Sequence, residues 1–381
     1  MMSLRRLLLL TASTATHSFA FRNIRWLWKG AVSEIVTNAV LGRRAIPPLP
    51  SPYSNDSNGY NDDDDTLTSP PVAIVTGATG GLGVVLCEKL QKQGYSVIVA
   101  ARDPIRGKAL VDQLHDDSSL DNGRRKHDAR FVRYDANEPS TAKDVALALD
   151  GRPCAILINN AGVMKTNISD TMKVNLIGPS ILTLTLLPSL RKHPNPVVVN
   201  VGSSAHLRAE ADIDPKTLED DTYDNDLAVY ASSKLGLMHF SQVLRETLWT
   251  QQGDSLSTTS PSWRPIVIDA HPGIVWTPLL RNYYGSAAKV VEKLKLSHFI
   301  FKSPEVGAGA LLSATFFDQT KYEKMLRKQK TYFSNGKSGY GSSESRDMDA
   351  CRKTWEQIIQ PAVMKVAPDE CRMISNSVLN V

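Results

Sequence analysis

Residues 72–83 are VAIVTGATGGLG, a short apolar run followed at once by a glycine-rich turn. The apolar run predicts a buried strand, and the turn that follows it opens a helix. Glycines let backbone N–H groups approach a phosphate, and a helix amino terminus adds partial positive charge. We therefore expect a phosphate-binding loop whose candidate cofactor-binding residues are Gly77, Thr79, Gly80, Gly81, Leu82 and Gly83.

From residue 72 onward, short apolar runs alternate with amphipathic stretches. This alternation predicts an α/β fold, a single doubly wound Rossmann-type parallel sheet with helices on both faces. Ligands of such sheets bind at the carboxyl ends of the strands. The predicted strands are Val72–Val75, Ser96–Ala101, Arg130–Tyr134, Cys154–Ile158, Val197–Val201 and Pro265–Ala270.

Charge and cysteine usage restrict the classes of partner. The chain has 381 residues and a formal net charge of +5. Seven of its 44 basic side chains but only one of its 39 acidic ones lie in residues 1–54, which leaves a net charge of −1 for the rest. A nearly neutral body gives no indication of a nucleic-acid partner. The four cysteines are scattered without metal-ligand spacing, so we expect free thiols and no metal site.

The amino-terminal arm has the composition of a targeting segment. Arg5 and Arg6 precede an apolar run and small residues up to Ala20, as in a secretory signal, and residues 21–44 are basic and poor in acids, as in a transit peptide. This combination resembles the two-part plastid leaders of algae with secondary plastids. We expect a plastid location, with the endoplasmic-reticulum membrane or the mitochondrion as alternatives, and a membrane association through this arm.

The end of the second predicted strand bears on cofactor choice. An NAD enzyme needs a carboxylate there for the ribose 2′-hydroxyl, whereas an NADP enzyme needs a cation for the 2′-phosphate. Ala101 occupies the strand-end position, Arg102 follows it, and Asp103 lies one step further along an extended chain. The pattern favours NADP(H), with Arg102 as the residue that contacts the 2′-phosphate.

A tyrosine and a lysine, Tyr230 and Lys234, lie four residues apart in a segment that is expected to be helical. This spacing puts both side chains on one face of the helix. A phenol beside a fixed ammonium is suited to proton transfer near neutral pH, because the cation favours the phenolate. The pair follows both the glycine-rich loop and the turn Asn159–Gly162, and this combination indicates chemistry rather than chance.

The loop, the turn and the Tyr230/Lys234 pair, in this order, resemble the motifs of the short-chain dehydrogenase/reductase family. The resemblance extends from Val72 to Trp355. Some segments resemble the retinol-dehydrogenase-type branch in particular, namely residues 101–103, 199–206, 303–305 and 331–334.

The resemblance implies a catalytic tetrad of Tyr230, Lys234, Ser203 (with Ser204 as the alternative) and Asn175. Tyr230 would exchange a proton with the substrate and Ser203 would hydrogen-bond the substrate oxygen. Lys234 would hold the cofactor ribose and lower the pKa of Tyr230, and Asn175 would hold a water that links Lys234 to solvent. Further cofactor-binding residues that the resemblance implies are Asp135, Asn160, Ala161, Gly162, Pro272, Gly273 and Thr277.

Composition and resemblance together divide the chain into four parts. Residues 1–46 are the targeting segment, and residues 47–70, rich in Pro, Ser, Asn and Asp, are expected to be a disordered acidic linker. Residues 71–360 are expected to form one NADP-binding catalytic domain of the short-chain dehydrogenase type. Residues 361–381 are expected to be a C-terminal tail.

The function implied is an NADP(H)-dependent oxidoreductase that transfers hydride between nicotinamide and the carbonyl or alcohol of a lipophilic substrate. The apolar segment 279–301 lies at the family's substrate-lid position and favours such a substrate. A protochlorophyllide-reductase-like plastid enzyme and a non-catalytic NADP-binding scaffold or sensor are the alternatives. The segment between Gly162 and Asn175 is shorter than is usual in the family, which leaves open the position of Asn175 and the surface of an expected homodimer.

Overall fold

The structure is a computed structural model that describes residues 70–118, 128–164, 168–209, 226–250, 265–284, 289, 293, 301–315, 319–334 and 336–379. The predicted targeting segment 1–46 lies outside the described residues, as does the predicted linker up to residue 69. Most of the predicted lid segment 279–301 also lies outside them.

Eight strands form one sheet in the described part of the chain, in the order β3-β2-β1-β4-β5-β6-β7-β8. Strands β1 to β7 run parallel, and β8 is antiparallel to β7. All six predicted strands are present with ends within one residue, and β7 and β8 are additional, because three-residue strands are too short for apolar periodicity to mark them. The strands are β1 (Val72–Thr76), β2 (Ser96–Ala101), β3 (Ala129–Arg133), β4 (Cys154–Asn159), β5 (Val197–Val201), β6 (Ile266–His271), β7 (Tyr332–Ser334) and β8 (Lys337–Gly339).

Helices cover both faces of the sheet, which confirms the predicted α/β fold. Two short π-helical turns, Lys173–Ile177 and Trp355–Ile359, interrupt the helical layer. The α-helices of the described residues are α1 (Gly81–Lys92), α2 (Pro104–Ser118), α3 (Thr141–Leu147), α4 (Ile168–Met172), α5 (Gly178–Thr185), α6 (Leu187–Leu190), α7 (Asp226–Thr250), α8 (Pro278–Tyr284), α9 (Pro304–Leu312), α10 (Gln319–Arg327), α11 (Met348–Thr354), α12 (Gln360–Val363) and α13 (Pro368–Leu379).

Successive strand residues point to opposite faces, so each strand contributes to two apolar cores. In β1, Val72 and Ile74 join the core that lies under α3, α5 and α7, whereas Ala73 and Val75 join the core under α1, α2, α9 and α10. Both faces of the sheet are therefore buried, as is typical of parallel sheets. No helix among the described residues is long and apolar enough to cross a bilayer.

Residues beyond position 360 pack onto the core instead of forming the predicted tail. Ala367, Cys371 and Ile374 are buried in the core under α7. The indole nitrogen of the fully buried Trp355 donates a hydrogen bond to Ser375 Oγ at 3.3 Å. These three residues are spaced i, i+4, i+7 and so lie on one face at the start of α13. Composition alone does not reveal such a face. The other domain boundaries stay predictions.

Candidate active site

A cavity of about 840 Å³ lies at the carboxyl ends of β1 to β6. It is lined by most of the residues that the sequence singles out, although they come from segments spread over two hundred positions. Gly83 and Asn175 lie behind its wall instead of lining it. The candidate residues that line it are Gly77, Thr79, Gly80, Gly81, Leu82, Arg102, Asp135, Asn160, Ala161, Gly162, Ser203, Tyr230, Lys234, Pro272, Gly273 and Thr277.

The glycine-rich loop forms a cradle that side chains would fill. Gly77 has a φ of +61°, and a Cβ there would lie 2.9 Å from Ala161 Cα. A Cβ on Gly83 would overlap Gly77 O and lie 2.6 Å from Ala78 Cα. The loop leads into the twelve-residue helix α1, which has no acidic residue in its first turn. The open cradle and the positive helix terminus fit the phosphates of a dinucleotide cofactor.

Hydrogen bonds fasten the turn after β4 to the loop after β1. The hydroxyl of Thr76 accepts hydrogen bonds from the backbone N–H groups of Asn160 and Ala161, both at 3.0 Å. Asn160 Nδ2 donates to Thr76 O at 2.9 Å. The Asn159–Gly162 turn, which alone is only a turn signal, therefore forms one rigid floor with the glycine-rich loop.

Two guanidinium groups lie at the cavity rim, one just after β2 and one in the first turn of α2. Arg102 is exposed there, as the NADP(H) prediction requires. The carboxylate of Asp103 instead caps α2, because its Oδ1 accepts hydrogen bonds from Ile105 N at 2.9 Å and Arg106 N at 3.1 Å. Arg106 also lines the cavity, and its Nη2 donates to Thr79 O at 2.6 Å. The sequence analysis missed Arg106, although its place in the first turn of α2 was a usable signal.

Tyr230 and Ser203 meet at the opposite end of the cavity. The Tyr230 side chain is buried and hydrogen-bonded to Ser203. Ser203 precedes the 3₁₀ turn Ser204–Arg208, and its Oγ accepts a hydrogen bond from Ala205 N at 3.2 Å. Burial raises the pKa of the Tyr230 phenol, and the Ser203 hydrogen bond opposes this shift. Tyr230 is therefore protonated at neutral pH and poised to donate.

The ammonium of Lys234 lies beneath this pair. Its Nζ donates to Val201 O at 2.8 Å and lies 5.8 Å from the centre of the Tyr230 ring. Burial lowers the pKa of Lys234 to about 8. The sequence predicts that Lys234 lowers the pKa of Tyr230, yet the net shift of the phenol is upward, because desolvation of the buried ring dominates.

Asn175 lies in the π-helical turn Lys173–Ile177, fully buried behind the cavity wall. Its Oδ1 accepts a hydrogen bond from Val163 N at 2.8 Å, and its Nδ2 donates to Val163 O at 2.8 Å and to Ser233 Oγ at 3.0 Å. Ser233 Oγ in turn donates to Tyr230 O at 2.8 Å. Asn175 thus clamps the segment after β4 to α7, and both of its amide donors are used within the protein. A water relay through Asn175 stays a prediction.

Ser233 was missed by the sequence analysis, because a serine beside a lysine carries no distinguishing pattern. Two buried imidazoles were also not assigned. His271 lines the cavity, and burial, assisted by nearby Lys302, lowers its pKa to about 3. His206 Nδ1 lies 2.6 Å from Ser203 O, and burial lowers its pKa as well. Both rings are neutral at neutral pH, which keeps additional positive charge away from the Tyr230 end.

Around Tyr230 the cavity wall is apolar. Met164 and Leu227 pack against the buried cluster of Tyr230 and Ala205, and Leu279 and Leu280 line the same cavity. Further apolar side chains that line the cavity are Val163, Val174, Val201, Ile274 and Val275. No group of side chains that could hold a metal ion occurs in the described part of the chain.

Known proteins resemble this chain in sequence and in fold. A family model described as short chain dehydrogenase matches residues 71–214. Polyprenol dehydrogenase of Mus musculus is 32% identical over 64% of this chain and 70% of that protein. Retinol dehydrogenase 12 of Mus musculus is 27% identical over 74% of this chain and 84% of that protein. A solved structure of an uncharacterised Mycobacterium paratuberculosis protein is 20% identical over 79% of this chain and 94% of that one, with a TM-score of 0.53, and it shares the fold.

The chain belongs to the short-chain dehydrogenase/reductase family, whose members are oxidoreductases that use a nicotinamide cofactor. Within the family it lies in the retinol-dehydrogenase-like branch, as its sequence motifs predict.

Proposed function

We propose that this protein is an NADP(H)-dependent oxidoreductase that transfers hydride between nicotinamide and the carbonyl or alcohol carbon of a lipophilic substrate. One observation carries the proposal. The Tyr230 phenol, hydrogen-bonded to Ser203 and underlain by Lys234, lies at one end of a cavity whose other end is the glycine-rich loop. Proton donor and cofactor cradle therefore face the same space.

The side chains divide the work of the reaction. Bound nicotinamide supplies the hydride in reduction and accepts it in oxidation. Tyr230, kept protonated by burial, donates its proton to the substrate oxygen in reduction and takes a proton from it in oxidation. Ser203 Oγ holds that oxygen where negative charge develops. Lys234 uses one of its three N–H groups on Val201 O, which leaves two for the cofactor ribose.

The preference for NADP(H) over NAD(H) rests on charge at the end of β2. Arg102 and Arg106 line the rim, and the neighbouring Asp103 carboxylate accepts hydrogen bonds from the backbone of α2 through its Oδ1. A 2′-phosphate would meet two cations at this rim, whereas a ribose 2′-hydroxyl would find the Asp103 carboxylate already engaged at Oδ1 by α2. Arginine pairs strongly with phosphate oxygens.

The preference for a lipophilic substrate rests on the apolar wall around Tyr230. The relatives described above carry names, polyprenol and retinol dehydrogenase, that denote long apolar alcohols. Binding such a chain would cover Met164, Leu227, Leu279 and Leu280 and remove apolar surface from water.

The test is turnover by the purified full chain. NADPH oxidation is followed with all-trans-retinal, a polyprenal, decanal and acetone, and each reaction is repeated with NADH. We expect turnover of the long apolar aldehydes, with a higher kcat/KM for NADPH than for NADH. NADPH binding without turnover of any carbonyl supports the scaffold alternative, and reduction of protochlorophyllide under light supports the other alternative.

We also propose a plastid location. The support is compositional, because residues 1–69 lie outside the described residues. Residues 1–60 fused to a fluorescent protein should accumulate in plastids, and fluorescence confined to the endoplasmic reticulum or to mitochondria contradicts this. Homodimer formation and membrane association stay predictions, which light scattering and vesicle flotation of the full chain test.

A further inference from the structure

A row of polar side chains crosses the middle of the sheet on the face under α7. Asn159, Asn200 and Asp269 are partners in register on the neighbouring strands β4, β5 and β6. All three are buried, and Asn159 Nδ2 donates to Asn200 Oδ1 at 2.8 Å. Buried polar side chains lower the free energy of unfolding unless they are hydrogen-bonded. The presence of three of them side by side in the sheet therefore suggests that they have a specific role.

Helix α7 completes the row with two side chains. Ser241 Oγ accepts a hydrogen bond from Asn200 Nδ2 at 2.7 Å and donates to Asp269 Oδ1 at 2.6 Å. Both terminal nitrogens of Arg245 donate to Asp269 Oδ2 at 3.1 Å, and Nη1 also donates to Val267 O at 3.1 Å. The Arg245 and Asp269 side chains are only 4% and 2% exposed, so this ion pair is shielded from water.

The same side of α7 carries the catalytic pair. Tyr230, Lys234, Ser241 and Arg245 lie at spacings of 4, 7 and 4 residues, which keeps them within one stripe of the helix. Tyr230 is about 16 Å from Ser241 along the helix axis. Apolar packing has no preferred direction, whereas hydrogen bonds tolerate only small changes in length. The bonds of Ser241 and Arg245 therefore fix how far α7 can slide along the sheet.

We propose that Ser241, Asp269 and Arg245 are positioning residues for the reaction, because they hold α7 at the axial position that sets Tyr230 beside Ser203. The inference rests on the proposed function in one respect, that Tyr230 and Ser203 act on the substrate. None of the three positioning residues lines the cavity, so they act through the helix and not on the substrate.

The test compares Ser241→Ala with Ser180→Ala in the full chain. Both serines are fully buried and face the carbonyl four residues before them in their own helix. Ser180 Oγ donates to Leu176 O at 2.7 Å, whereas Ser241 Oγ lies 3.1 Å from Leu237 O and gives its one hydroxyl proton to the shorter contact with Asp269. Only Ser241 joins the row. With NADPH and all-trans-retinal, Ser241→Ala should lower kcat by about 10- to 100-fold while KM changes little, since a displacement near 1 Å has that effect. Ser180→Ala should keep the wild-type kcat.

A second readout needs no turnover. The Cζ resonance of Tyr230 in ¹³C-tyrosine-labelled protein, assigned with Tyr230→Phe, reports the phenol's hydrogen bond to Ser203. It should shift in Ser241→Ala and in Arg245→Lys, which keeps the charge but loses the two-pronged contact, and not in Ser180→Ala. Equal kcat and an unshifted resonance in Ser241→Ala overturn the positioning role. If the wild-type protein shows no turnover but the Tyr230 resonance still shifts in Ser241→Ala and Arg245→Lys alone, the proposed function is overturned. The same result supports the role of these residues in positioning Tyr230.

Discussion

The two ends of the cavity are built in different ways. The cofactor end is formed by backbone within one strand–turn–helix unit, from Thr76 to Gly83, with Arg102 and Arg106 at its rim. The catalytic end is formed by side chains from three separate elements, which bring together Ser203, Tyr230 and Asn175. Ligand binding at a site built from backbone should be disturbed most by substitutions that add a side chain. Activity at a site built from side chains should be disturbed most by substitutions that remove a functional group.

The two ends also differ in how they use charge. At the cofactor end, Arg102 is exposed to solvent and faces the rim. At the catalytic end, Lys234 and Tyr230 are buried. Burial lowers the pKa of Lys234 and raises the pKa of Tyr230, and in each case this favours the neutral form of the side chain. In the proposed function, charge at the first end would select the cofactor, whereas the displaced pKa values at the second end would serve a proton transfer.

The largest expected effect is at the catalytic end. Tyr230→Phe removes the proton donor, so kcat for carbonyl reduction should fall by about 10²- to 10⁴-fold. NADPH affinity, measured by fluorescence titration, should change far less. Tyr340→Phe, at an exposed tyrosine, is the matched control and should leave kcat unchanged. Equal rates for Tyr230→Phe and wild type would remove Tyr230 from the mechanism.

At the cofactor end, the largest effect should come from the rim cations. Arg102→Ala should raise the Kd of NADPH by about 10- to 100-fold, which corresponds to the loss of one charge-assisted hydrogen bond. Adding Arg106→Ala to this variant should raise the Kd further. The Kd of NADH should stay constant, because it lacks the 2′-phosphate. Arg133→Ala, at an arginine already paired with Glu138, is the control. Equal losses for both cofactors contradict the assignment.

Added volume in the cradle should act next. Gly83→Ala puts a methyl group against Gly77 O and Ala78, and overpacking of this kind costs about 1–3 kcal/mol. The added Cβ of Gly81→Ala would meet only side-chain atoms at 3.7 Å or more, so this variant should keep the wild-type Tm in the absence of NADPH. Thermal unfolding with and without NADPH measures both. A Gly83→Ala protein as stable as wild type would show that the loop opens without cost.

A smaller effect is expected behind the catalytic end. Ser233→Ala leaves Asn175 Nδ2 without its acceptor on α7, so kcat should fall by about tenfold, equivalent to a net loss near 1.4 kcal/mol. Ser232→Ala, at a half-buried neighbour on the same turn, should have no effect. Steady-state kinetics at saturating NADPH measure the difference, and equal rates for the two variants would show that the Asn175 clamp does not influence Tyr230.

The smallest effect concerns pH. Because the pKa of Lys234 is about 8, kcat should decline a few-fold as pH rises through 8 and the ammonium is lost. Residual activity of Lys234→Arg should lack this step, since arginine stays protonated. The free energy of unfolding should show the opposite trend. Between pH 8 and the unfolded-state pKa of lysine near 10.4, Lys234 is protonated in the unfolded chain and mostly neutral in the folded one. The energetic cost of burying this lysine therefore decreases as the pH rises through that range. A pH-independent rate in wild type would contradict the role of the cation.

Short-range features of the site could be recognised in the sequence and its long-range contacts could not, for a physical reason. Strand, turn and helix start are local, so Gly77, Gly81 and Gly83 reveal them through short-range steric rules. The contacts of Arg106 with Thr79 O, and of Ser233 with Asn175, join residues 27 and 58 positions apart. No local pattern marks such pairs.

By itself the sequence determined the alternation of strands and helices, the glycine-rich turn after β1 and the spacing of Tyr230 and Lys234 on one helix, because periodicity and fixed spacing act within a few residues. Only the tertiary structure decided that residues 361–379 join the core, that Asp103 caps a helix, and that burial raises the pKa of Tyr230. Those outcomes depend on which atoms of the folded chain surround each side chain, exclude water from it or offer it a hydrogen bond. These neighbours are known only once the tertiary structure is known.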